Sequence, residues 1–131
     1  MNKTLKEIYN WDYVEKPDTS LLKRVNAILG KTPDELTSDD ICVLIRQEMF
    51  LDIVIPKAIQ MIEENHAVGD NYDYCMLINL SKIEAPIRDY KAQLSGLIGI
   101  LRNDLGKTEF EFEEDKNECF EAISRLEAKL K

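Results

Sequence analysis

Apolar residues recur every three or four positions along most of the chain. Residues at this spacing share one face of an α-helix, and that face is buried against the rest of the protein. The clearest example is Leu51–Ile62, whose apolar stripe is unbroken. The pattern predicts an all-α fold, a single compact domain of about six or seven helices over residues 1–131. The predicted helices cover residues 4–9, 20–29, 38–49, 50–64, 72–82, 86–103 and 115–130.

Polar residues at the helix ends support these boundaries. Thr4 followed by Glu7, and Thr37 followed by Asp40, have the spacing of capping boxes, in which the two residues satisfy each other's backbone amides. Asp18–Ser20 offers N-caps for the second helix, and Gly30 is placed as the residue that ends it.

Two prolines affect the helix predictions. Pro56 lies inside the apolar stripe, and the stripe keeps its phase across it, so we expect one kinked helix over Phe50–Glu64. Pro86 is predicted to be the first residue of the next-to-last helix. Gly96 and Gly99 weaken that helix by about 1 kcal/mol each relative to alanine and suggest a close contact with another helix.

The segment Thr108–Glu114 is the one stretch with alternating apolar and acidic residues. It could form a lone strand near residues 108–113, but a strand without a partner is unstable. We therefore expect an extended lead-in to the last helix, with the rings of Phe110 and Phe112 both anchored on the core.

The chain is acidic, with 17 basic and 25 acidic residues and a net charge of −8. Direct nucleic-acid binding is not expected, because it requires clustered lysine and arginine. No apolar run approaches the roughly 20 residues of a membrane span. The N-terminus lacks an apolar stretch of signal-peptide length, so a cytoplasmic protein is expected.

Residues suited to catalysis or metal binding are few. His66 is the single histidine, and we interpret it as an exposed loop residue. Cys42, Cys75 and Cys119 are widely spaced and odd in number, which matches neither a disulfide framework nor a zinc motif. We expect three buried free thiols, no metal, no cofactor and no enzymatic activity.

Two acidic segments are candidates for contact with a partner protein. Residues 108–118 contain six acidic residues and one lysine, a local charge of −5. Such a run is often only a solvated loop, but interleaved phenylalanines could anchor a basic partner. The loop near residue 70 combines acidic and aromatic side chains, with Tyr74 directed to the core and Tyr72 free. The candidate contact residues are Asp70, Tyr72, Asp73, Glu109, Phe110, Glu111, Glu113, Glu114 and Asp115.

Residues 20–80 resemble a family of bacterial proteins. The matching positions are Leu21, Arg24, Val25, Thr37, Asp40, Ile41, Leu44, Ile45, Gln47, Leu51, Pro56, Ala58, Asn65, Gly69, Asp70 and Tyr72. In this order and spacing they are similar to the immunity proteins of contact-dependent growth inhibition (CDI) systems. The chain departs from that family where it reads Tyr72-Asp73-Tyr74-Cys75 in place of Tyr-x-Gly-Asp. It also has His66 where a proline is usual.

The resemblance implies a cytosolic protein that neutralises the C-terminal toxin domain of an effector delivered by a neighbouring cell. Such toxins are often nucleases with basic active-site clefts, which an acidic immunity protein would cover. Arg24, Asp40 and Gln47 would then hold the scaffold together. An alternative is an acidic helical adaptor or regulatory module without a toxin partner, and a third is a small enzyme built on carboxylates. The oligomeric state is not predicted.

Overall fold

The computed structural model describes residues 3–131. This part of the chain contains seven α-helices, two 3-10 turns and no β-strand, which confirms the all-α prediction. The helices are α1 (Leu5–Tyr9), α2 (Ser20–Leu29), α3 (Ser38–Gln47), α4 (Leu51–Glu64), α5 (Cys75–Ser81), α6 (Lys91–Gly106) and α7 (Glu113–Lys129). The 3-10 turns cover Pro33–Glu35 and Arg88–Tyr90.

One hydrophobic core unites the helices. α3 packs on both α4 and α5, α6 packs on α4, and α7 lies across α5 and α6. The helical stripes of the sequence supply the side chains of this core. Among the fully buried ones are Ile28, Ile41, Leu44, Ile55, Ile62, Met76, Leu77, Leu80, Leu101 and Ile123.

The predicted capping boxes are present at α1 and α3. In each, the threonine hydroxyl accepts a hydrogen bond from the amide three residues on, and that residue's carboxylate accepts one from the threonine amide. The pairs are Thr4 with Glu7 and Thr37 with Asp40. The cap of α2 is Thr19, which lies in the predicted cap region. Local sequence therefore determines where these three helices begin.

Asp40 does more than cap α3. Its side chain is only 1% exposed and accepts hydrogen bonds from Arg24 Nη2 at 2.8 Å and Lys31 Nζ at 2.6 Å. The third donor is the Thr37 amide at 3.0 Å. The carboxylate thus joins α2, the following connector and α3, as the resemblance implied for Arg24 and Asp40. Gln47, in contrast, is exposed at the end of α3.

Pro56 lies inside one continuous helix, α4, as predicted. The helix begins one residue later than expected, because Phe50 has the left-handed φ of 56°. The ring of Phe50 is buried and stacks on Tyr9 at a centroid distance of 4.3 Å. Trp11 meets it edge-on at 5.1 Å. The aromatic cluster fixes the entry into α4 against the N-terminal segment.

The predicted helix over residues 72–82 is shorter in the structure. Its first turn does not form, because Tyr74 has a φ of 67°, which interrupts helical geometry. α5 therefore starts at Cys75 and ends at Ser81.

The start of α6 also differs from the prediction. The amides of Glu84 and Ala85 donate to the carboxylate of Glu48 at 3.3 and 3.0 Å, so the chain before Pro86 is held by the end of α3. The 3-10 turn Arg88–Tyr90 follows, and α6 begins five residues later than expected. Pro86 is thus not a first-turn residue.

The expected close helix contact at two glycines of α6 is wrong. A Cβ atom added to Gly96 or Gly99 would meet nothing within 4 Å among the described residues. Both glycines lie on the exposed side of the helix.

The segment before α7 is irregular and forms no strand within the described chain. Phe110 is partly buried and packs on Tyr74, as predicted, with ring centroids 5.4 Å apart. The prediction for Phe112 is wrong, because its side chain is 56% exposed. α7 starts at Glu113, two residues earlier than expected, and its acidic first turn is stabilised by the helix dipole.

His66 connects the end of α4 to α6, so its interpretation as an exposed loop residue is wrong. Its Nδ1 lies 2.6 Å from the Ile62 carbonyl oxygen, and its Nε2 lies 2.8 Å from Asp104 Oδ2. Both partners are acceptors, so both contacts are hydrogen bonds only when the ring is protonated. Burial opposes that charge, but the bonds to Asp104 and Ile62 outweigh it and raise the pKa of His66.

This bridge should make stability depend on pH. Because the pKa is higher in the folded state, the contribution is fully present below the unfolded value of about 6.5 and is lost as pH rises through the folded value. The free energy of unfolding of the wild type should therefore fall relative to that of His66→Gln as the pH rises above about 6.5. Urea denaturation across this range measures the difference. Parallel curves for the two proteins would contradict the assignment.

Candidate functional site

Residues 65–74, which join α4 to α5, form the connecting loop. Its first turn is closed by Asn65, whose Oδ1 accepts a hydrogen bond from the Ala67 amide at 3.2 Å. The Ala67 carbonyl in turn accepts one from the Tyr74 amide at 2.9 Å. These bonds bring the two ends of the loop together, so it presents a defined surface.

Gly69 allows the connecting loop to close tightly. A Cβ atom at this position would lie within 3.0 Å of both the Tyr72 carbonyl oxygen and the Cβ atom of Cys75. The backbone approaches itself so closely here that a side chain does not fit.

Gly69→Ala should therefore destabilise the protein by about 1–3 kcal/mol, the usual cost of overpacking. Gly96→Ala is the matched control. Its added methyl group meets open space inside a helix, so we expect a gain of about 0.5–1 kcal/mol. Urea denaturation of both variants measures the two effects, and equal signs would contradict the tight closure of the loop.

Asp70 is predicted as a contact residue, but its carboxylate is engaged inside the protein. Arg46 donates two hydrogen bonds to this carboxylate, Nη1 to Oδ1 at 2.9 Å and Nη2 to Oδ2 at 2.6 Å. The Cys75 thiol donates to Oδ1 at 3.3 Å. These bonds, that to Arg46 above all, lower the pKa of Asp70 to about 2, and the side chain is only 11% exposed. Asp70 thus holds the connecting loop on α3.

Tyr72 and Asp73 form the exposed tip of the connecting loop. The Tyr72 side chain is 49% exposed, although neighbouring groups still influence its hydroxyl. Partial burial raises the pKa of Tyr72, and Cys75 and the carboxylate of Glu118 raise it further. The charge of Glu118, on α7, thus acts on the hydroxyl of Tyr72.

The two predicted contact segments meet at Tyr74. Its ring packs on Phe110, which links the connecting loop to the segment before α7. Burial raises the pKa of Tyr74, and the negative charges of Asp73 and Asp115 add to the effect. Acidic groups from both segments thus surround one aromatic pair.

The two segments that meet at this junction carry exposed acidic side chains and two exposed rings. Phe110 lies beneath them, and Asp70 is paired with Arg46. The exposed residues of the two segments lie on the outside of the protein and are together called the acidic surface. They are Tyr72, Asp73, Glu109, Glu111, Phe112, Glu113, Glu114, Asp115 and Glu118.

The order and spacing of scaffold residues can be compared with known families. A family model described as CDI immunity proteins matches residues 7–97, more than half of the chain. The chain belongs to the family of CDI immunity proteins. No curated protein matches it.

The matched span covers only part of the structure of this immunity protein. It contains the end of α1, all of α2 to α5, the connecting loop and the start of α6, and therefore the Arg24–Asp40 and Arg46–Asp70 pairs. Residues 108–118, which supply most of the acidic surface, lie outside it. The scaffold follows the family, and most of the acidic surface comes from the part of the chain beyond the match.

A second group of exposed hydrophobic residues, one aliphatic and two aromatic, was not predicted from the sequence. Ile8, Trp11 and Tyr13 of the immunity protein are each more than 40% exposed. Trp11 and Tyr13 lie in a segment without a helical stripe, which is the signal that could have shown that they face outwards. This group carries fewer acidic residues than the acidic surface.

The potential nucleophiles of the immunity protein are not activated. Its three cysteines are buried and free, as expected. Burial, the main cause, raises the pKa of Cys42 and that of Cys119 to about 12. Neither thiol is therefore ionised at neutral pH. His66 is occupied by its bridge between α4 and α6. None of the helices within residues 3–131 combines the length and apolar character that a membrane crossing requires.

Proposed function

We propose that this immunity protein binds the toxin domain of its own CDI system through the acidic surface, and that this domain is a nuclease with a basic active-site cleft. The observation that carries the proposal is the meeting of two chain segments around Tyr74 and Phe110. They present a concentrated negative charge together with two exposed aromatic rings, Tyr72 and Phe112.

The mechanism that fits this surface is occlusion. Carboxylates would take the place of nucleic-acid phosphates in the basic cleft and would speed association by electrostatic steering. Tyr72 and Phe112 would supply the apolar anchors that usually dominate binding energy at the centre of an interface. The local charge of −5 in residues 108–118 makes this the most acidic run of the chain.

Asp70 has a different role in this proposal. Its carboxylate would not touch the toxin, because Arg46 and Cys75 already occupy it. It would instead position Tyr72 and Asp73 at the tip of the connecting loop. The protein would act by binding alone in the cytoplasm, without a cofactor, a catalytic residue or direct contact with nucleic acid.

Co-expression tests the proposal. The family relationship leads us to expect a toxin-coding segment immediately upstream in the genome. Cells that express this segment should grow only when the immunity protein is also present, and the purified pair should associate more weakly as salt increases. Failure to rescue growth by an immunity protein present at normal levels would overturn the proposal. It would favour an acidic adaptor without a toxin partner.

A further inference from the structure

Three potential metal ligands converge beneath the connecting loop. Cys42 comes from the middle of α3, Asp70 from the loop and Cys75 from the start of α5. Their two sulfur atoms and one carboxylate oxygen lie within 4.8 Å of one another. Both cysteines are fully buried, and Asp70 retains slight exposure. This cluster could not be predicted from the sequence, because the three residues are 28 and 5 positions apart.

The donor set suits zinc. Zn²⁺ binds thiolates at about 2.3 Å and carboxylates at about 2.0–2.2 Å in a tetrahedral arrangement. Two thiolates and one carboxylate carry three negative charges, which the ion and the guanidinium of Arg46 would balance. Each thiol would release its proton to solvent on binding. A site with this charge balance tolerates burial better than an unpaired ion would.

The groups around the three ligands would orient them. Arg46 holds both oxygens of Asp70, with Nη2 at 2.6 Å from Oδ2 and Nη1 at 2.9 Å from Oδ1, and Oδ1 also faces the Cys75 sulfur at 3.3 Å. Asn79 donates to Cys75 Sγ at 3.1 Å, a contact that would stabilise a thiolate at that position. Outer hydrogen bonds of this kind fix ligand orientation in metal sites.

We propose that Cys42, Asp70 and Cys75 form a Zn²⁺ site with three protein ligands, and that the ion fastens the connecting loop to α3. The fourth position of the tetrahedron is left for water. The site joins α3 to the two ends of the segment that carries Tyr72 and Asp73, and it does not depend on the identity of the toxin.

Zinc titration of the reduced full-length protein, in competition with a chromophoric chelator, tests the site. We expect uptake of one equivalent, and Co²⁺ in place of Zn²⁺ should show the sulfur-to-cobalt charge-transfer absorption of a thiolate site. Cys42→Ala and Cys75→Ala should each lose more affinity than the about 10–100-fold cost of losing an outer hydrogen-bond partner. Cys119→Ala is the matched control, since Cys119 is equally buried but lies outside the cluster, and it should bind as the wild type does.

Two results of the zinc titration would contradict the proposed site. No zinc uptake by the reduced wild type, or unchanged uptake in both Cys42→Ala and Cys75→Ala, would overturn the site. Circular dichroism shows whether those variants fold. If those variants do not fold, two other measurements decide whether the site exists: the zinc affinity of Asp70→Asn and the cobalt spectrum of the wild type. Weaker zinc binding by Asp70→Asn, together with a thiolate charge-transfer band in the wild type, supports the site. A cobalt complex without that band overturns it.

Discussion

A variant with lysine at the four exposed glutamates between Thr108 and Asp115 should bind the toxin domain at least about 100-fold more weakly than the wild type, a loss of about 2.8 kcal/mol. The four residues are Glu109, Glu111, Glu113 and Glu114. Reversed charges would face the basic cleft with like charge, which both slows association and destabilises the complex. Titration calorimetry or surface binding at two salt concentrations measures the loss, and growth protection should fail in parallel.

The control must separate local contact from overall charge. A variant with lysine at four exposed acidic residues elsewhere, Asp18, Asp34, Glu63 and Asp89, undergoes the same change in net charge, from −8 to 0. It should retain binding within about tenfold, because only long-range steering is reduced. Equal losses in the two variants would show that the acidic surface is not the contact.

Helix stability requires one further variant. Glu113 and Glu114 lie in the first turn of α7, where lysine opposes the helix dipole by about 0.3–1 kcal/mol each. Glu109 and Glu111 precede the helix, so a variant that changes only these two leaves the dipole interaction intact. It should still weaken binding by about tenfold or more. Unchanged affinity would remove the segment before α7 from the interface.

The scaffold was predictable because its signals are local. Capping by Thr4 and Thr37 depends on residues three positions apart, and a helical stripe such as Leu51–Ile62 depends on a short window. Pro56 was correctly placed inside α4 for the same reason. The wrong start of α6 depends on a distant group, the carboxylate of Glu48, which holds the chain before Pro86.

The candidate site was only partly predictable because its contacts join residues far apart in sequence. In the sequence, Asp70 is an acidic residue of a loop. Only the fold shows that Arg46, 24 positions earlier, forms two hydrogen bonds with its carboxylate. The two phenylalanines of the acidic segment look equivalent, yet Tyr74 shelters Phe110 and leaves Phe112 exposed. Composition identified the charge of the surface, and three-dimensional packing decides which side chains remain free.

A large loss of stability from one substitution is expected at Asp40. Asp40→Ala removes the capping bond to the Thr37 amide, worth about 0.5–2 kcal/mol, and charge-assisted bonds worth about 1.5–3 kcal/mol. Arg24 and Lys31 are partly exposed and regain water, which limits the loss. We expect a decrease of about 2–4 kcal/mol in the free energy of unfolding, measured by urea denaturation.

Two further variants identify the cause of that loss. Asp39→Asn changes the exposed neighbour in the same helical turn and should cost no more than about 0.5 kcal/mol. Asp40→Asn keeps an oxygen for the Thr37 amide but loses the charge that holds Arg24 and Lys31, so it should be nearly as destabilising as alanine. If Asp40→Asn were as stable as the wild type, the cap alone would account for the role of Asp40.

Acid titration gives an independent measure of the same charge. Burial alone would raise the pKa of Asp40, but the hydrogen bonds from Lys31, the Thr37 amide and Arg24 outweigh it and lower the pKa. The stabilisation is therefore present above the unfolded value of about 3.9 and is lost as pH falls through the lower folded value. The gap in stability between the wild type and Asp40→Asn should narrow over this acidic range. A gap that stays constant with pH would mean that the carboxylate stabilises the fold by shape and not by charge.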